Sequence, residues 1–487
     1  MNRTIIERVP RIEGVLKVVQ HGFGLDKSLF LESGRSRHLE QSLVGKYPLE
    51  AVQSTQMLSE SAGMAHALAS VSALENYLQL DPTPAALQIR QILLQLSTLR
   101  AHILHFYWEL LPDYLNQDHI SVSGNLSYFQ RYDFHPNEKG EGDLSKEVGS
   151  TILEHIPEAA RALDFIQQSI ALLAGKFPVA MNLIPGGVTN FSVDRALLMK
   201  IIRNLQQTKP FIEETWPSDV KSFVQDLPET VVVPVKKVNL ISFGSLSSGK
   251  KEDAERFYSN GVLIDNKLEP INELLITESL NHTFFLPPGR QNSQNQNNVD
   301  YSKEGARTWI RGARYDAEPM LTGALARMMV THFGGSNLEI SDLVGRMIDD
   351  LGLSESSPNC SASRLLAEVF EGRLFIKSTL EILLDFERNQ PLNRQTAFDF
   401  SASGTGTGLV ESPGGALLHQ VFINDNRITQ YRIVSSTNWN FSTSDTNGKR
   451  GIIESELNAS LEKQVLSTRQ ISRIIHSYHA QIQDGTR

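Results

Sequence analysis

A single cysteine, Cys360 in the polar stretch SSPNCSASR, is all the thiol that this chain of 487 residues holds. One thiol cannot close an intrachain disulfide, and it cannot build a multi-cysteine zinc or iron–sulfur site. No run approaches the roughly 18 apolar residues of a membrane span. The N-terminus MNRTIIERVPRIEG also lacks the apolar core of a signal peptide, so the expected location is the cytoplasm. Positive charge is in deficit: 46 Lys and Arg against 55 Asp and Glu leave a net charge of −9. Such a balance favours solubility and offers no overall attraction to nucleic acid or an anionic membrane. A phosphate loop is lacking as well, because SGTGTG at 403–408 has neither the GxxxxGK[ST] nor the GxGxxG spacing. No internal repeat is visible.

What remains is an ordinary globular composition, 40% hydrophobic and 21% charged, enough to bury a large core. Two β-prone runs in 12–32, separated by HGFGLD, predict a hairpin near the N-terminus. Apolar residues then recur at three- and four-residue spacing through MAHALASVSALENYL. After the DPTP punctuation the pattern resumes in PAALQIRQILLQLSTLRAHILHFYWELL, so two long helices are expected. Further helices are predicted at 157–175, 193–206 and 364–388, and from 454 to about 483. The segment TVVVPVKKVNLISF (230–243) is rich in β-branched residues, but Pro234 demotes it to an edge or interrupted strand. QNSQNQNN (291–298) is a polar low-complexity stretch expected as an exposed loop. LHQVFINDNRITQYRIVS (418–435) is the clearest hairpin, two alternating runs around NDN. The fold class is α+β, mainly α, with a helix-bundle core and small peripheral β-sheets. The expected organisation is one domain over 1–487. It comprises a β-rich part at 1–50, a helical core at 51–228, a mixed segment at 229–350 with a polar loop at 288–302, and a closing part at 351–487 of helix, hairpin and C-terminal helix.

Few residues point to chemistry by themselves. His102 and His105 are three apart on a helix and could face a metal, but in the aromatic context HILHFYW a packed, hydrogen-bonded core pair is favoured. His476, His479 and Asp484 in HSYHAQIQD could likewise be assembled into a metal site. With no second cluster evident, an exposed or capping role is the better reading for them.

Taken together, several segments resemble the large subunit of nickel–iron hydrogenases, in order and over nearly the whole chain. They are RIEG (11–14), SRHLE (36–40), AHALASVSALE (65–75), HILHFYWELLPDY (102–114), PGGVTN (185–190), TWIRGARYDAEPMLTGALAR (308–327), ESPGGALLH (411–419) and STNWNFSTSD (436–445). The resemblance implies one large subunit with a central helix bundle. In that family it carries a nickel–iron centre near an iron–sulfur small subunit.

The ligands are gone. The family's RICGVCxxxH aligns with residues 57–66, so its two cysteines become Ser59 and Ala62 while His66 is kept. Its SFDPCxxCxxH aligns with residues 477–487, so the other two become Gln481 and Asp484, and the final histidine becomes Arg487. The arginine of its EAPRG is Gly414, and the proline of its VPTTWN is Ser436. Hydroxyl, methyl and amide groups cannot bridge nickel and iron as thiolates do. The resemblance therefore implies no catalytic residue, no cofactor and no bound metal at these positions. Glu13, His66, Asp113 and Thr437 match retained family residues around the centre. Glu40 matches a carboxylate that helps the terminal histidine hold a divalent ion. A Glu40–Arg487 ion pair is expected in place of that ion. The family's cleavable tail beyond the final histidine is expected to be absent too, since Arg487 stands at the matching position.

Three functions fit these observations. The leading one is a catalytically inactive large-subunit paralogue acting through protein contacts, as an accessory or scaffold protein (HupK/HoxV-like) with hydrogenase maturation proteins as partners. The alternative is a non-catalytic structural or regulatory subunit paired with an iron–sulfur small-subunit-like protein. Third comes an enzyme with a quinone-type site, or with a different metal held by Glu13, His66, Asp484 and His479.

Overall fold

The computed structural model describes residues 3–22, 27–34, 36–116, 119, 143–189, 193–235, 238–244, 257–286, 299–386, 390–394 and 397–482. The N-terminal hairpin forms as expected, with Leu16–His21 antiparallel to Ser28–Ser33. A third strand, Arg3–Arg8, pairs with the first of these across a bulge between Ile5 and Glu7. Charged residues at both ends of RTIIER hid that strand from the apolar pattern.

Helical periodicity is realised in Gly63–Leu78 and Pro84–Leu104. Thr83 starts the second helix by accepting a hydrogen bond from the Ala86 amide, and Pro84 occupies its first turn, where a missing N–H costs nothing. The helix then widens into a π-type turn, His105–Leu110, and tightens into Leu111–Tyr114. Ile156–Ala174 and Ser361–Leu384 pack against Pro84–Leu104, and Arg195–Pro210 packs on Ile156–Ala174. Trp216–Asp226 completes this layer: a Cβ on Gly372 would lie 2.4 Å from the Trp216 ring, so the crossing needs a glycine. Lys146–Glu154, Ala324–Gly334 and Leu338–Leu351 are further helices that the sequence reading did not single out. One hydrophobic cluster runs through these elements from Val9 to Ile482.

Two expectations need correction. In 230–243 the strand is confined to Asn239–Ser242, and it is an inner strand, flanked by Met320–Leu321 and Gly261–Ile264 in a four-stranded sheet. Pro234 lies in the lead-in, so it removes no ladder hydrogen bond and does not force the strand to an edge. The C-terminal region is two helices, Ile452–Lys463 and Thr468–His476. A capping box at Ser467 and Gln470 starts the second one, and the chain leaves helical geometry after His476. The loop 291–298 lies outside the described residues.

Around the predicted hairpin a three-stranded sheet forms from Gly404–Ser412, Gly415–Asn424 and Arg427–Val434. Asp425 and Asn426 turn it at φ of 48° and 58°, the left-handed pair that a two-residue hairpin turn of this hand requires. The glycine-rich run is the first strand of this sheet. A Cβ on Gly406 would sit 2.0 Å from the Ala73 carbonyl oxygen, and one on Gly408 2.1 Å from that of Ala69. Alternate glycines on the strand and alanines on the helix therefore let two backbones touch, and the run is a packing surface.

Candidate functional site

The RIEG turn, the start of the helix Gly63–Leu78 and the last described residues meet at one place. Gly14 (φ +75°) lets the chain pass so close to the C-terminal segment that a Cβ there would be 2.6 Å from the Ile482 carbonyl oxygen. Glu13 and Gln481 form a parallel bridge, and the Ile482 amide donates to the Glu13 carbonyl at 3.1 Å. The Glu13 carboxylate accepts from the Ser59 hydroxyl, from the Ser61 amide at 2.8 Å and from the Ser61 hydroxyl at 3.0 Å. Ser59 Oγ in turn accepts from the Ala62 amide at 2.9 Å. From the other side Thr437 donates its hydroxyl to the Gln481 carbonyl. A Cβ on Gly414 would be 2.5 Å from Ser436 Oγ and 3.7 Å from Gln481 Oε1. So Glu13, Ser59, Ala62, Gly414, Ser436, Thr437 and Gln481 converge, as the resemblance implies. Asp484 and Arg487 lie outside the described residues.

The other candidates are placed nearby or elsewhere. His66, one turn into its helix, shares a hydrogen bond with His419 at 2.9 Å, and the chain continues through Tyr431 to Ser70. Burial, and then His66, hold His419 well below the usual imidazole range. Asp113 pairs with Arg11 and His476. Burial would raise its carboxyl, but His476 and then Arg11 outweigh this and keep it low. Glu40 engages Arg311 and the Ile433 amide in a cleft also lined by Trp309, Thr437 and Ile482. There burial wins over Arg311 and raises the carboxyl.

A second assembly lies behind this patch. Arg327 is wholly buried and reaches Glu371 through Nε at 2.6 Å and Nη2 at 2.7 Å, and Glu411 through Nη1 at 3.0 Å. Glu371 also accepts from His102 Nε2 at 2.8 Å. One helical turn away, Glu368 accepts from His105 Nδ1 at 2.8 Å, and His105 Nε2 donates to the His476 carbonyl. His479 stacks on His105 with ring centroids 4.4 Å apart and comes within 3.3 Å of Glu368. Burial alone would lower His105, yet Glu368 lifts it to about 9. Burial and the His105 charge push His479 down to about 4. Despite burial, Arg327 draws Glu371 down to about 2.

The reading of His102 and His105 as a hydrogen-bonded core pair therefore matches their geometry. The exposed or capping role of His476 and His479 does not: both are buried, His476 against Asp113 and the Pro10 carbonyl, His479 against Glu368. Glu368 and Glu371 were overlooked. Their signal was available, since two carboxylates three apart on an apolar-striped helix share a face, as do the histidines of HILH.

A nickel–iron group does not fit the converged residues. Ser59 turns its hydroxyl to Glu13, Ala62 offers a methyl, and Gln481 offers an amide. None of these is a soft bridging ligand, and the one carboxylate is already satisfied by three donors.

The family described as nickel-dependent hydrogenase matches residues 37–122 and 116–482. The chain belongs to this family. It is 27% identical over 488 residues, 97% of this chain and 92% of the relative, to the periplasmic [NiFeSe] hydrogenase large subunit of Desulfomicrobium baculatum. It is 24% identical to the quinone-reactive Ni/Fe-hydrogenase large chain of Wolinella succinogenes, covering 98% and 94% of the two chains. The Ni-Fe-Se hydrogenase structure from Desulfovibrio vulgaris Hildenborough superposes with a TM-score of 0.82 at 23% identity, over 99% of this chain and 98% of that one. The fold of this family member is thus the hydrogenase large-subunit fold, mainly helical with small sheets, kept over its full extent without the cysteines. Among the described residues no helix is long and apolar enough to cross a membrane.

Proposed function

We propose that this member of the nickel-dependent hydrogenase family is catalytically inactive as a hydrogenase and acts through protein contacts, as an accessory or scaffold protein in hydrogenase assembly. The observation that carries the reading is Ser59. It stands where the resemblance implies a ligand cysteine, and its hydroxyl is turned away into a closed hydrogen-bond set with Glu13, Ser61 and Ala62. The surrounding fold persists although the ligand positions hold other residues. A protein that keeps a large subunit's shape can engage the partners that recognise that shape. The reading carries a cytoplasmic location, to be checked by fractionation, as the named D. baculatum relative is periplasmic.

A second reading, a structural or regulatory subunit paired with an iron–sulfur small-subunit-like protein, is favoured by one observation. The likeness extends over 99% of this chain and 98% of the compared one, so the fold spans the full length of that large subunit.

Anaerobic affinity purification from the native host tests both. Co-purified proteins are identified, and infrared spectra are recorded in the cyanide and carbonyl window. Maturation proteins without such bands are the expected result. A stoichiometric iron–sulfur protein would replace the first reading with the second. Dihydrogen oxidation, or bands from an iron carbonyl group, would overturn both.

A further inference from the structure

His102, Glu368 and His479 come from three separate stretches of chain and meet in the interior. One ring nitrogen of each histidine and one oxygen of Glu368 lie within 4.8 Å of one another. Glu368 Oε1 is 3.8 Å from His102 Nδ1 and 3.3 Å from His479 Nδ1. Ligand bonds of about 2.1 Å in a tetrahedral site separate donor atoms by about 3.4 Å, so the cluster needs a contraction of less than about an ångström and a half to close on an ion.

Geometry around the cluster distinguishes it from a chance gathering of polar groups. His102 spends Nε2 on Glu371, whose charge is matched by Arg327. This is the carboxylate–histidine arrangement that presents the other ring nitrogen to a metal. That nitrogen, Nδ1, is buried and has no hydrogen-bond partner among the described residues, although it faces the Glu368 carboxylate. His479 approaches the same carboxylate with Nδ1 at 3.3 Å, and its Nε2 is buried without a hydrogen-bond partner among the described residues. An orphaned ring nitrogen facing a buried carboxylate is a costly pair to bury, and a cation held between them removes that cost. Glu368 and His479 also line a small cleft together with Pro413, Gly414 and Ser477, the side from which an ion would enter.

We propose that His102, Glu368 and His479 bind one divalent transition ion of the borderline class, Zn²⁺ or Fe²⁺, at a site separate from the lost nickel–iron ligands. Two imidazole nitrogens and one carboxylate oxygen suit that class, and hard Ca²⁺ or Mg²⁺ would prefer more oxygen donors. Three protein ligands leave a coordination position for water or a small molecule from the cleft. The positive His105 on the second oxygen of Glu368 opposes the ion, so this site is weaker than a four-thiolate structural zinc site.

The test uses the full-length chain, stripped with a chelator and titrated anaerobically with Co²⁺, whose visible absorption reports ordered nitrogen and oxygen ligation. Saturation at one equivalent is expected. His479→Ala and Glu368→Gln should each weaken binding by about tenfold or more, whereas His332→Ala, on a partly exposed histidine away from the cluster, should leave it unchanged. Should His479→Ala fail to fold by circular dichroism, His479→Asp keeps a ligand and is expected to bind one equivalent with a shifted spectrum. No saturable binding, or binding unaffected by His479 and Glu368 substitutions and lowered by His332→Ala, overturns the proposal. The result is independent of the accessory role, which is decided by partners and infrared bands.

Discussion

The patch at Glu13, Ser59 and Gln481 and the buried layer at Arg327, Glu371 and His102 lie close together in the fold, yet they are held by opposite means. In the first, small neutral groups surround one carboxylate, and most bonds run to backbone amides or hydroxyls. In the second, full charges meet in the interior, with Arg327 facing two carboxylates and His105 facing a third. Replacing cysteine by serine or alanine in the first region leaves Ser59 and Glu13 short-range partners, although the Gln481 amide is buried with none among the described residues. The second region tolerates no such exchange, because each charge depends on a partner brought from another element. This difference explains how the family's ligands could be lost while its fold was kept.

The sharpest way to break the comparison is Arg327→Met. It strands Glu371 and Glu411 without their cation, and the loss of one partner from a buried pair costs about 3–5 kcal/mol. Urea unfolding should show the midpoint collapse or the protein fail to accumulate folded. A loss below about 2 kcal/mol would mean that the layer is no more demanding than the patch.

A carboxylate outside both regions sharpens the point through pH. Glu454 is buried and accepts from the Leu31 amide at 3.0 Å and the Ser444 amide at 3.1 Å, but among the described residues no guanidinium is hydrogen-bonded to it as Arg327 is to Glu371. Burial lifts it to about 7, from a model-peptide value of 4.5. The folded state thus holds the proton more tightly than the unfolded chain does. This contribution is fully present below pH 4.5 and is lost as pH rises through 7. By linkage the span is worth up to about 3 kcal/mol. Unfolding free energies measured from pH 4.5 to 8 should fall by that order, and Glu454→Gln should flatten the curve. Equal slopes in both proteins would show that the carboxyl is not protonated in the folded state.

Much of this architecture was legible because its signals are local. Apolar spacing placed the helices Gly63–Leu78 and Pro84–Leu104, and the NDN turn placed the C-terminal hairpin. Convergence of Glu13, Ser59, Gly414 and Gln481 followed from the family motifs in order. What stayed hidden depends on partners far apart in the chain. Gly406 and Gly408 carry no strand signal until the helix backbone at Ala69 and Ala73 is set against them. Glu368 and Glu371 look like solvated helix residues until HILH arrives opposite. His479 looked like a terminal, exposed histidine because nothing in HSYHAQIQD shows that the segment is drawn under Gly414 and onto Glu368.

The smallest expected effect tests the patch itself. Ser59→Ala removes one of three donors to the Glu13 carboxylate and the acceptor of the Ala62 amide, while the two donors from Ser61 remain. A hydrogen bond to a carboxylate that keeps other donors is worth about 2 kcal/mol, so stability should fall by about that amount and the fold should persist. Thermal melts of Ser59→Ala beside Arg327→Met compare the two regions directly. If the serine proves as costly as the arginine, Glu13 depends on this one hydroxyl, and the patch is a tightly constrained polar site in its own right. A loss near 2 kcal/mol instead leaves the heavier demand for precise pairing in the charged layer, which also holds the His102 ring nitrogen that faces Glu368 without a hydrogen bond.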